Sequence, residues 1–193
     1  MSLLQETIEN DESIKNVSFK DDEISFNNIK NVCFVSCSFE NVVFDSVSLQ
    51  NISFRTCEFK SCVFDNTALD KCNFSNSKFI NVSFSNSKVK DTIFDDSLFI
   101  LISFDGCELL TSKFNVSKID EIDIKNSNLK LLNFANSKID VIDLFNNKSI
   151  VDVYLYSSRI GEVKGDINNL RGFSMNLEQI LDIIHKIGIN LHE

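Results

Sequence analysis

The chain has 193 residues, of which 43% are hydrophobic and 24% charged, and its formal net charge is −9 at pH 7. This length predicts one domain, and no apolar stretch approaches the roughly 20 residues of a membrane-spanning helix. The acidic N-terminal residues lack the apolar core of a signal peptide, so we expect a cytoplasmic protein.

The first 16 residues carry no regular pattern, and we expect residues 1–16 to form an N-terminal cap. Leu3, Leu4 and Ile8 are the candidates for apolar contact with the repeat that follows. Such a cap is expected because an uncapped solenoid exposes a sheet edge and invites end-to-end growth.

An internal repeat of five residues fills most of the chain. Every fifth position from Phe19 to Leu144 is apolar, 26 positions in all, and 15 of these centres are Phe. The residue two positions before each centre is small or aliphatic, except at Asp22 and Asn27. A period of five fits neither a helix at 3.6 residues nor a strand at 2. It predicts a chain that turns a corner every five residues and points one large side chain inward each time.

The corners are predicted to depend on Asn rather than on Pro or Gly. The second residue after the centre is Asn in ten of the 26 units, whereas the chain has no Pro and five Gly. Asn tolerates turn dihedrals and hydrogen-bonds its own backbone. The sequence therefore accounts for constant turning without the usual turn residues.

Five of the six cysteines occupy the small inward position, namely Cys37, Cys57, Cys62, Cys72 and Cys107. We interpret them as buried free thiols that pack as small hydrophobes, and we expect a reducing compartment. No Cys pair or Cys/His cluster has the spacing of a metal site. We therefore expect no metal and no cofactor.

The register changes after Leu144. The next centres are Ile150, Leu155 and Ile160, so the segment 145–149 must contain a bulge of one residue. We expect the repeat to extend over residues 17–172 in total.

A helix is predicted in the C-terminal segment 173–193, with Asn176 as its N-cap, Gln179 as the capping-box partner and Gly188 at its end. Its apolar surface is larger than a cap requires. We therefore expect a homodimer through this end, with capping within one chain as the alternative. The candidate dimerisation residues are Leu177, Ile180, Leu181, Ile184 and Ile187.

The repeat resembles that of the pentapeptide repeat family, whose A(D/N)Lxx unit has Phe at its centre here. Asn51-Ile52-Ser53-Phe54 is a representative unit. The resemblance implies an all-β fold, a right-handed quadrilateral parallel β-helix with four units per coil. Residues 20 apart would then stack, so that Phe44, Phe64, Phe84 and Phe104 would form one column.

The tail resembles that of the quinolone-resistance (Qnr-type) members of this family. The matching residues are Leu170-Arg171-Gly172, Gln179, Ile180-Leu181 and Ile187-Gly188-Ile189. This resemblance implies a dimeric rod that mimics DNA and binds DNA gyrase or topoisomerase IV. Many Qnr-type proteins carry loops between repeats that serve protection, but the register here is unbroken from 19 to 144.

One of the four predicted faces is acidic, with six carboxylates against Lys125, whereas an adjacent face is basic. We interpret the acidic face as a partner-binding surface, and the alternative is a solvated face that keeps the rod soluble. Its carboxylates belong to Glu23, Asp45, Asp65, Asp105, Asp123 and Asp143.

A group of apolar residues is predicted to face water. We interpret it as a contact patch, and the alternative is that another segment of the chain covers it. Its members are Ile80, Leu98, Ile100, Leu101 and Leu110.

The sequence does not indicate an enzyme. Its two histidines, His185 and His192, lie in or after the tail helix, and no catalytic triad or phosphate-binding loop is present. Two functions remain, a topoisomerase-binding DNA mimic and a structural or interaction scaffold with another partner. Neither implies direct binding to nucleic acid or to a membrane.

Overall fold

The computed structural model describes residues 3–24, 28–165 and 167–186. Over these ranges the chain is a parallel β-solenoid of about eight turns with a short helix near each end. The fold class that the resemblance of the repeat implies is therefore confirmed.

Most strands are three residues long and belong to one five-residue unit, while several later strands run through two units. The helices are α1 Leu3–Asn10 and α2 Leu177–Lys186, and a 3₁₀ turn covers Ile167–Leu170. The strands are β1 Ser13–Lys15, β2 Ser18–Lys20, β3 Asn28–Lys30, β4 Cys33–Val35, β5 Ser38–Glu40, β6 Ser48–Gln50, β7 Ser53–Arg55, β8 Glu58–Lys60, β9 Ala68–Asp70, β10 Lys78–Ser83, β11 Lys88–Lys90, β12 Leu98–Ser103, β13 Glu108–Leu110, β14 Lys118–Asp123, β15 Asn128–Asn133, β16 Lys138–Asp143, β17 Ser149–Tyr154, β18 Arg159–Lys164 and β19 Phe173–Ser174.

The strands form two long parallel sheets on opposite sides of the rod. One has the order β2-β5-β8-β10-β12-β14-β16-β18, the other β3-β6-β9-β11-β13-β15-β17-β19. A three-stranded sheet, β1-β4-β7, and single bridges such as Glu23 to Val43 supply the two remaining sides. Pairing joins residues 20 apart, as in Phe79 with Phe99, so each coil contains four units.

The corner residues have left-handed backbone conformations. Two positions after the centre, φ is 60° at Asn31, 54° at Asn66 and 56° at Asn86. Asn tolerates this region better than most residues, which agrees with its frequency there. The predicted role of Asn at the corners is confirmed.

Stacked aromatic rings fill the interior. Phe44, Phe64, Phe84 and Phe104 form the predicted column, with successive centroids 4.3, 4.7 and 4.9 Å apart and planes within 13° of parallel. Adjacent columns meet edge-on, as in Phe64 and Phe74 at 89°. Each buried ring contributes roughly 1.5–3 kcal/mol of gross transfer free energy.

The second inward position links neighbouring coils by hydrogen bonds. The Ser127 hydroxyl donates to the Phe104 carbonyl at 2.8 Å and accepts from the Cys107 N–H at 2.9 Å. These bonds supplement the 3.3 Å bond from the Cys107 N–H to the Phe104 carbonyl at the same corner, so both buried backbone groups are fully paired. Five of the six cysteines are buried at this position as free thiols, while Cys33 is half-buried and points outward.

Helix α1 lies over the N-terminal end of the solenoid. Leu4 is buried against the core, Ile8 is partly buried, and the Leu4 N–H donates to the Asp22 carboxylate at 2.9 Å. Leu3 instead is 57% exposed. Ile14 of β1 is buried and pairs with Phe34, so the first coil begins before residue 17.

The bulge predicted after Leu144 is present. Asn128 pairs with Ser149, 21 residues away, and the Asn147 side chain accepts the Ser127 N–H at 2.8 Å. Strand β19 continues the sheet to Ser174. The turn before β19 requires Gly172, because a Cβ there would lie 1.9 Å from the Ile150 carbonyl oxygen and φ is +89°.

Candidate interaction surfaces

Helix α2 is fixed to the last coil through Gln179. The Asn176 side chain accepts the Gln179 N–H and the Gln179 side chain accepts the Asn176 N–H, both at 2.9 Å, which confirms the predicted capping box. The Gln179 amide also donates to the carbonyls of Leu155 and Ser158, the latter at 2.7 Å. Gln179 therefore caps both the helix and the end of the sheet, a second role that the sequence pattern did not reveal.

The outer side of α2 is apolar and faces solvent. Ile183 is buried against the coil, whereas Leu177 is 71% exposed and Ile180 and Leu181 are also exposed. Ile184 is half-buried. The remaining predicted dimerisation residue, Ile187, lies outside the described residues, as do Gly188 and His192. We call Leu177, Ile180 and Leu181 the helix face.

The six predicted acidic residues lie in two separate columns on their face. Asp45, Asp65 and Asp105 follow their centres, whereas Glu23, Asp123 and Asp143 precede theirs. In the middle of the second column the residues are apolar or carry a hydroxyl group. The residues there are Val43, Val63, Ser83 and Ser103.

Lys125 neutralises one end of this face. Its ammonium lies 2.9 Å from Asp123 and 3.9 Å from Asp143. The hydrogen bond to Asp123, followed by the charges of Asp123, Asp143 and Asp105, raises the pKa of Lys125. Asp123 and Asp143 are thus part of an internal charge balance.

The first column has no cationic partner within 4 Å among the described residues. Asp45 accepts from the Asn66 amide at 2.8 Å, Asp65 from the Ser85 N–H at 2.8 Å and Asp105 from the Asn126 amide at 2.6 Å. These neutral donors orient the carboxylates without cancelling their charge. We call Asp45, Asp65 and Asp105 the acidic track.

The predicted apolar patch comprises four neighbouring residues rather than five. Ile80 and Ile100 pair on adjacent coils, and Leu98 and Leu101 belong to the same strand as Ile100. Leu110 instead lies on β13, in the opposite sheet. We call Ile80, Leu98, Ile100 and Leu101 the side patch.

Ion pairs occupy the same face on both sides of the side patch. Lys60 lies 2.8 Å from Glu40 and Lys78 lies 3.4 Å from Glu58 on the N-terminal side. The Glu40 pair raises the pKa of Lys60, first through its hydrogen bond. On the C-terminal side Lys118 lies 3.1 Å from Asp120. The apolar residues thus interrupt a surface that is otherwise charged.

Exposed apolar residues at three corners were not predicted as a set. Leu101, Val116 and Leu131 are exposed and hold φ at 56°. The signal in the sequence is an apolar residue at a position that elsewhere favours Asn. Tyr154 and Tyr156, which stack at 5.8 Å near the C-terminal end, were also not singled out.

Within the described ranges, no group of three or more His, Cys, Asp or Glu residues is arranged to hold a metal ion. No helix in the same part of the chain has the length and apolarity needed to cross a membrane.

The five-residue unit, the four corners per coil and the pairing of residues 20 apart decide the architecture. The chain has the fold of the pentapeptide repeat proteins. The family model for the SV2A/B/C luminal domain matches residues 3–84, which is less than half of the chain. No match was found among curated protein sequences.

Several solved pentapeptide repeat structures are similar at low TM-scores. A trypsin-treated QnrB1, a plasmid-mediated fluoroquinolone resistance protein, has 14% identity and a TM-score of 0.30, covering 92% of this chain and 99% of that one. HetL, involved in heterocyst differentiation regulation in Nostoc sp. strain PCC 7120, has 9% identity and a TM-score of 0.35, covering 84% and 89%. Rfr23 from Cyanothece 51142 has 8% identity and a TM-score of 0.35, covering 85% and 88%.

Proposed function

We propose that the protein is a non-catalytic interaction rod that pairs with a second copy through α2. The observation that carries this proposal is the helix face, in which Leu177, Ile180 and Leu181 are exposed on a helix already attached to the solenoid. A self-complementary apolar face of this kind suits a two-fold interface between identical chains. Pairing would extend the rod and leave its long sides free for another protein.

The attachment of α2 favours such an interface. Gln179 and the buried Ile183 hold the inner side of the helix, so its outer side has a fixed orientation before association. A pre-ordered surface loses less conformational entropy on binding than a free tail does. Each large apolar side chain that becomes fully buried contributes roughly 1.5–3 kcal/mol before these costs.

Sedimentation at several concentrations tests this proposal. The parent chain is expected to sediment at twice its mass of 22.0 kDa. Leu181→Asp is expected to give monomers, because a charge would be buried without a partner in the interface. Glu178→Gln, on the same helix but outside the helix face, is the matched control and should remain dimeric. A monomeric parent chain at about 100 µM, well above a micromolar dissociation constant, would refute the proposal.

A second candidate function is a DNA mimic that binds a type II topoisomerase. The acidic track favours it, because three carboxylates without cationic partners lie along one side of a chain with net charge −9. The resemblance of the tail to the Qnr-type proteins adds to this. Duplex DNA carries one charge per about 1.7 Å of axis, so the track is much sparser than DNA and would act mainly by steering.

A supercoiling assay with purified DNA gyrase tests the second candidate. The protein should change the rate of supercoiling, and replacing Asp45, Asp65 and Asp105 together by Asn should abolish the change. Asp123→Asn is the control, because Lys125 already neutralises that carboxylate. Absence of any effect on gyrase at tens of micromolar, the upper end of useful protein affinities, would remove this candidate.

A further inference from the structure

We infer that the side patch and the acidic track together bind a basic amphipathic helix of a partner protein, laid along the rod. This inference rests on the proposed role as an interaction rod and names the chemistry of the partner. Leu101 of the side patch lines one shallow groove at the corner within β12, together with Val63, Ser83, Ser103 and Asp123. Asp65 of the acidic track contacts this lining, because its carboxylate accepts a hydrogen bond from the Ser83 hydroxyl.

Leu101 is one of three exposed apolar residues with a left-handed corner conformation, and it adjoins Ile100 and lines the groove. Leu101 is 52% exposed and has φ of 56°, whereas the same corner holds Asn41, Ser61 and Asn81 in the preceding coils. A left-handed conformation disfavours Leu relative to Asn, and exposure of Leu to water gives no compensation. A partner that covers Leu101 would provide that compensation through apolar burial.

The side patch lies between two groups of ion pairs, in a part of this face from which water can be removed at the lowest free-energy cost. The ion pairs of this face stop at Lys78 on one side and resume at Lys118 on the other. Between them Ile80, Leu98 and Ile100 present only apolar side chains. A partner can therefore bury this area without removing a charge from water.

The acidic track supplies the charge that the partner must match. It borders the groove on the side away from the patch, and none of its three carboxylates has a cation within 4 Å in the described part of the chain. Cationic side chains on the partner would form ion pairs with these carboxylates. A partner helix with one apolar row for the side patch and one basic row for the acidic track matches both features.

The dimensions of the groove fit a helix. Leu101 and Asp105 are separated by four residues of mostly extended chain, at most about 13 Å, and a helix with side chains is about 10–12 Å wide. Asp65 and Asp105 are two coils apart, about 10 Å, which matches the rise of about 10.5 Å over seven helical residues. An extended strand repeats at about 6.7 Å and does not match the coil spacing.

A binding assay with a designed peptide tests the inference. The probe is a fluorescent synthetic peptide of about 18 residues with Leu at helical spacing and Lys along one flanking row, titrated with the full-length protein. Leu101→Asn should weaken binding at least about tenfold, the effect expected for a central apolar contact. Asp65→Asn and Asp105→Asn should weaken it as well, and so should added salt.

Leu131→Asn is the matched control. Leu131 is also an exposed Leu with φ of 56°, but it occupies the diagonally opposite corner. Its replacement should leave peptide affinity unchanged. Equal losses in the Leu131 and Leu101 variants would overturn the inference, and so would absence of saturable binding up to about 1 mM, where binding is no longer specific. A change in sedimentation of Leu101→Asn without peptide would assign the patch to a second copy of this chain instead.

The assay separates this inference from the proposed pairing through α2. Leu181→Asp should lose the dimer and keep the peptide, because the helix face and the groove are on different parts of the rod. If Leu181→Asp stays dimeric, the proposed pairing through α2 is refuted and the inference about the groove still stands. If the parent chain does not bind the peptide, the inference about the groove is refuted and the proposed pairing through α2 still stands.

Discussion

Residues 28–115 and 117–164 form parts of the same solenoid but differ in the residue types at their centres. We call the first range the aromatic coils, because most of their centres are Phe, and the second the aliphatic coils, where Phe134 is the single Phe centre. Phe134 still stacks on Phe114 at 4.8 Å, and the other late centres are Ile or Leu. The register of 20 survives this exchange until the bulge, so the path of the backbone does not depend on aromatic rings.

The corners differ between the two ranges. Every corner residue of the aromatic coils is left-handed, whereas Glu121 and Val141 in the aliphatic coils are not. β14 and β16 run through these two corners as strands of six residues, but β10 and β12 do the same with left-handed corners at Asn81 and Leu101. The comparison teaches that the corner relaxes only among the aliphatic coils, and there at the positions 20 and 40 residues after Leu101, where the preceding centres are the β-branched Ile119 and Ile139.

The largest expected effect is the insertion of a charge among the rings. Phe64 is fully buried between Phe44 and Phe84, so Phe64→Asp would leave a carboxylate without a partner in the core. We expect loss of more than about 4 kcal/mol, enough to unfold the aromatic coils. Urea unfolding followed by circular dichroism measures it, with Asp65→Asn as the surface control. A midpoint equal to that of the parent chain would show that the inward register is wrong.

High pH should weaken the aromatic coils selectively. Burial raises the pKa of Cys57, Cys72 and Cys107 to about 12 and that of Cys62 to about 11, from the usual 9.0. Below about pH 9 these thiols are protonated in both states, and stability is complete. Above it the unfolded chain loses the protons first, so stability falls as pH rises from about 9 towards the folded values.

The expected loss between pH 8 and pH 10 is on the order of 1 kcal/mol for each thiol. Urea unfolding at both values measures it. The control replaces all four thiols by Ser, which the same inward position already accommodates at Ser77 and Ser97. If that variant shows the same pH dependence, the thiols are not its cause.

A smaller effect is expected at the C-terminal end of the aliphatic coils. Gln179→Leu removes the capping box and leaves the Ser158 carbonyl without its donor, at about 1–3 kcal/mol, while the Leu155 carbonyl keeps only the bond from the Ser158 N–H. We expect faster amide exchange in β17 and β18 and little change in the aromatic coils. Glu178→Ala is the control on the same helix. Uniform acceleration along the whole rod would contradict the local role of Gln179.

The sequence predicted what the period determines and missed what depends on neighbouring side chains. The centres, the bulge and the capping box follow from spacing, and the stacking of Phe84 on Phe64 follows from the coil of four units that the family resemblance implies. The division of the acidic face into two columns did not, because positions before and after a centre belong to one face in the linear pattern and separate only in three dimensions. Lys125 forms ion pairs with Asp123 and Asp143, and this pairing depends on side-chain conformations that a linear pattern does not contain.

The first coil and the position of Leu110 were missed for related reasons. A single centre at Ile14 gives too short a pattern to identify, and pairing with Phe34 is what defines it as part of the repeat. Leu110 is close to Leu101 in sequence, yet two corners place it on the opposite sheet. The side of the solenoid on which a residue lies depends on the remainder after its number is divided by 20, and its distance along the axis depends on the number of coils between.

The smallest expected effect sharpens the comparison at the corners and has the opposite sign. Val116 has φ of 56° at the junction of the two ranges, where Asp96 precedes it by one coil in the same column of corners and Asn136 follows by one coil. A β-branched residue is strained in this region, whereas Asn adopts it readily, so Val116→Asn should raise stability by about 1 kcal/mol. The reverse change, Asn136→Val, should lower it by a similar amount, and urea unfolding of both measures the pair. Opposite shifts would show that corner strain sets the preference for Asn. If neither variant shifts the unfolding midpoint, strain at the corner does not explain the preference for Asn.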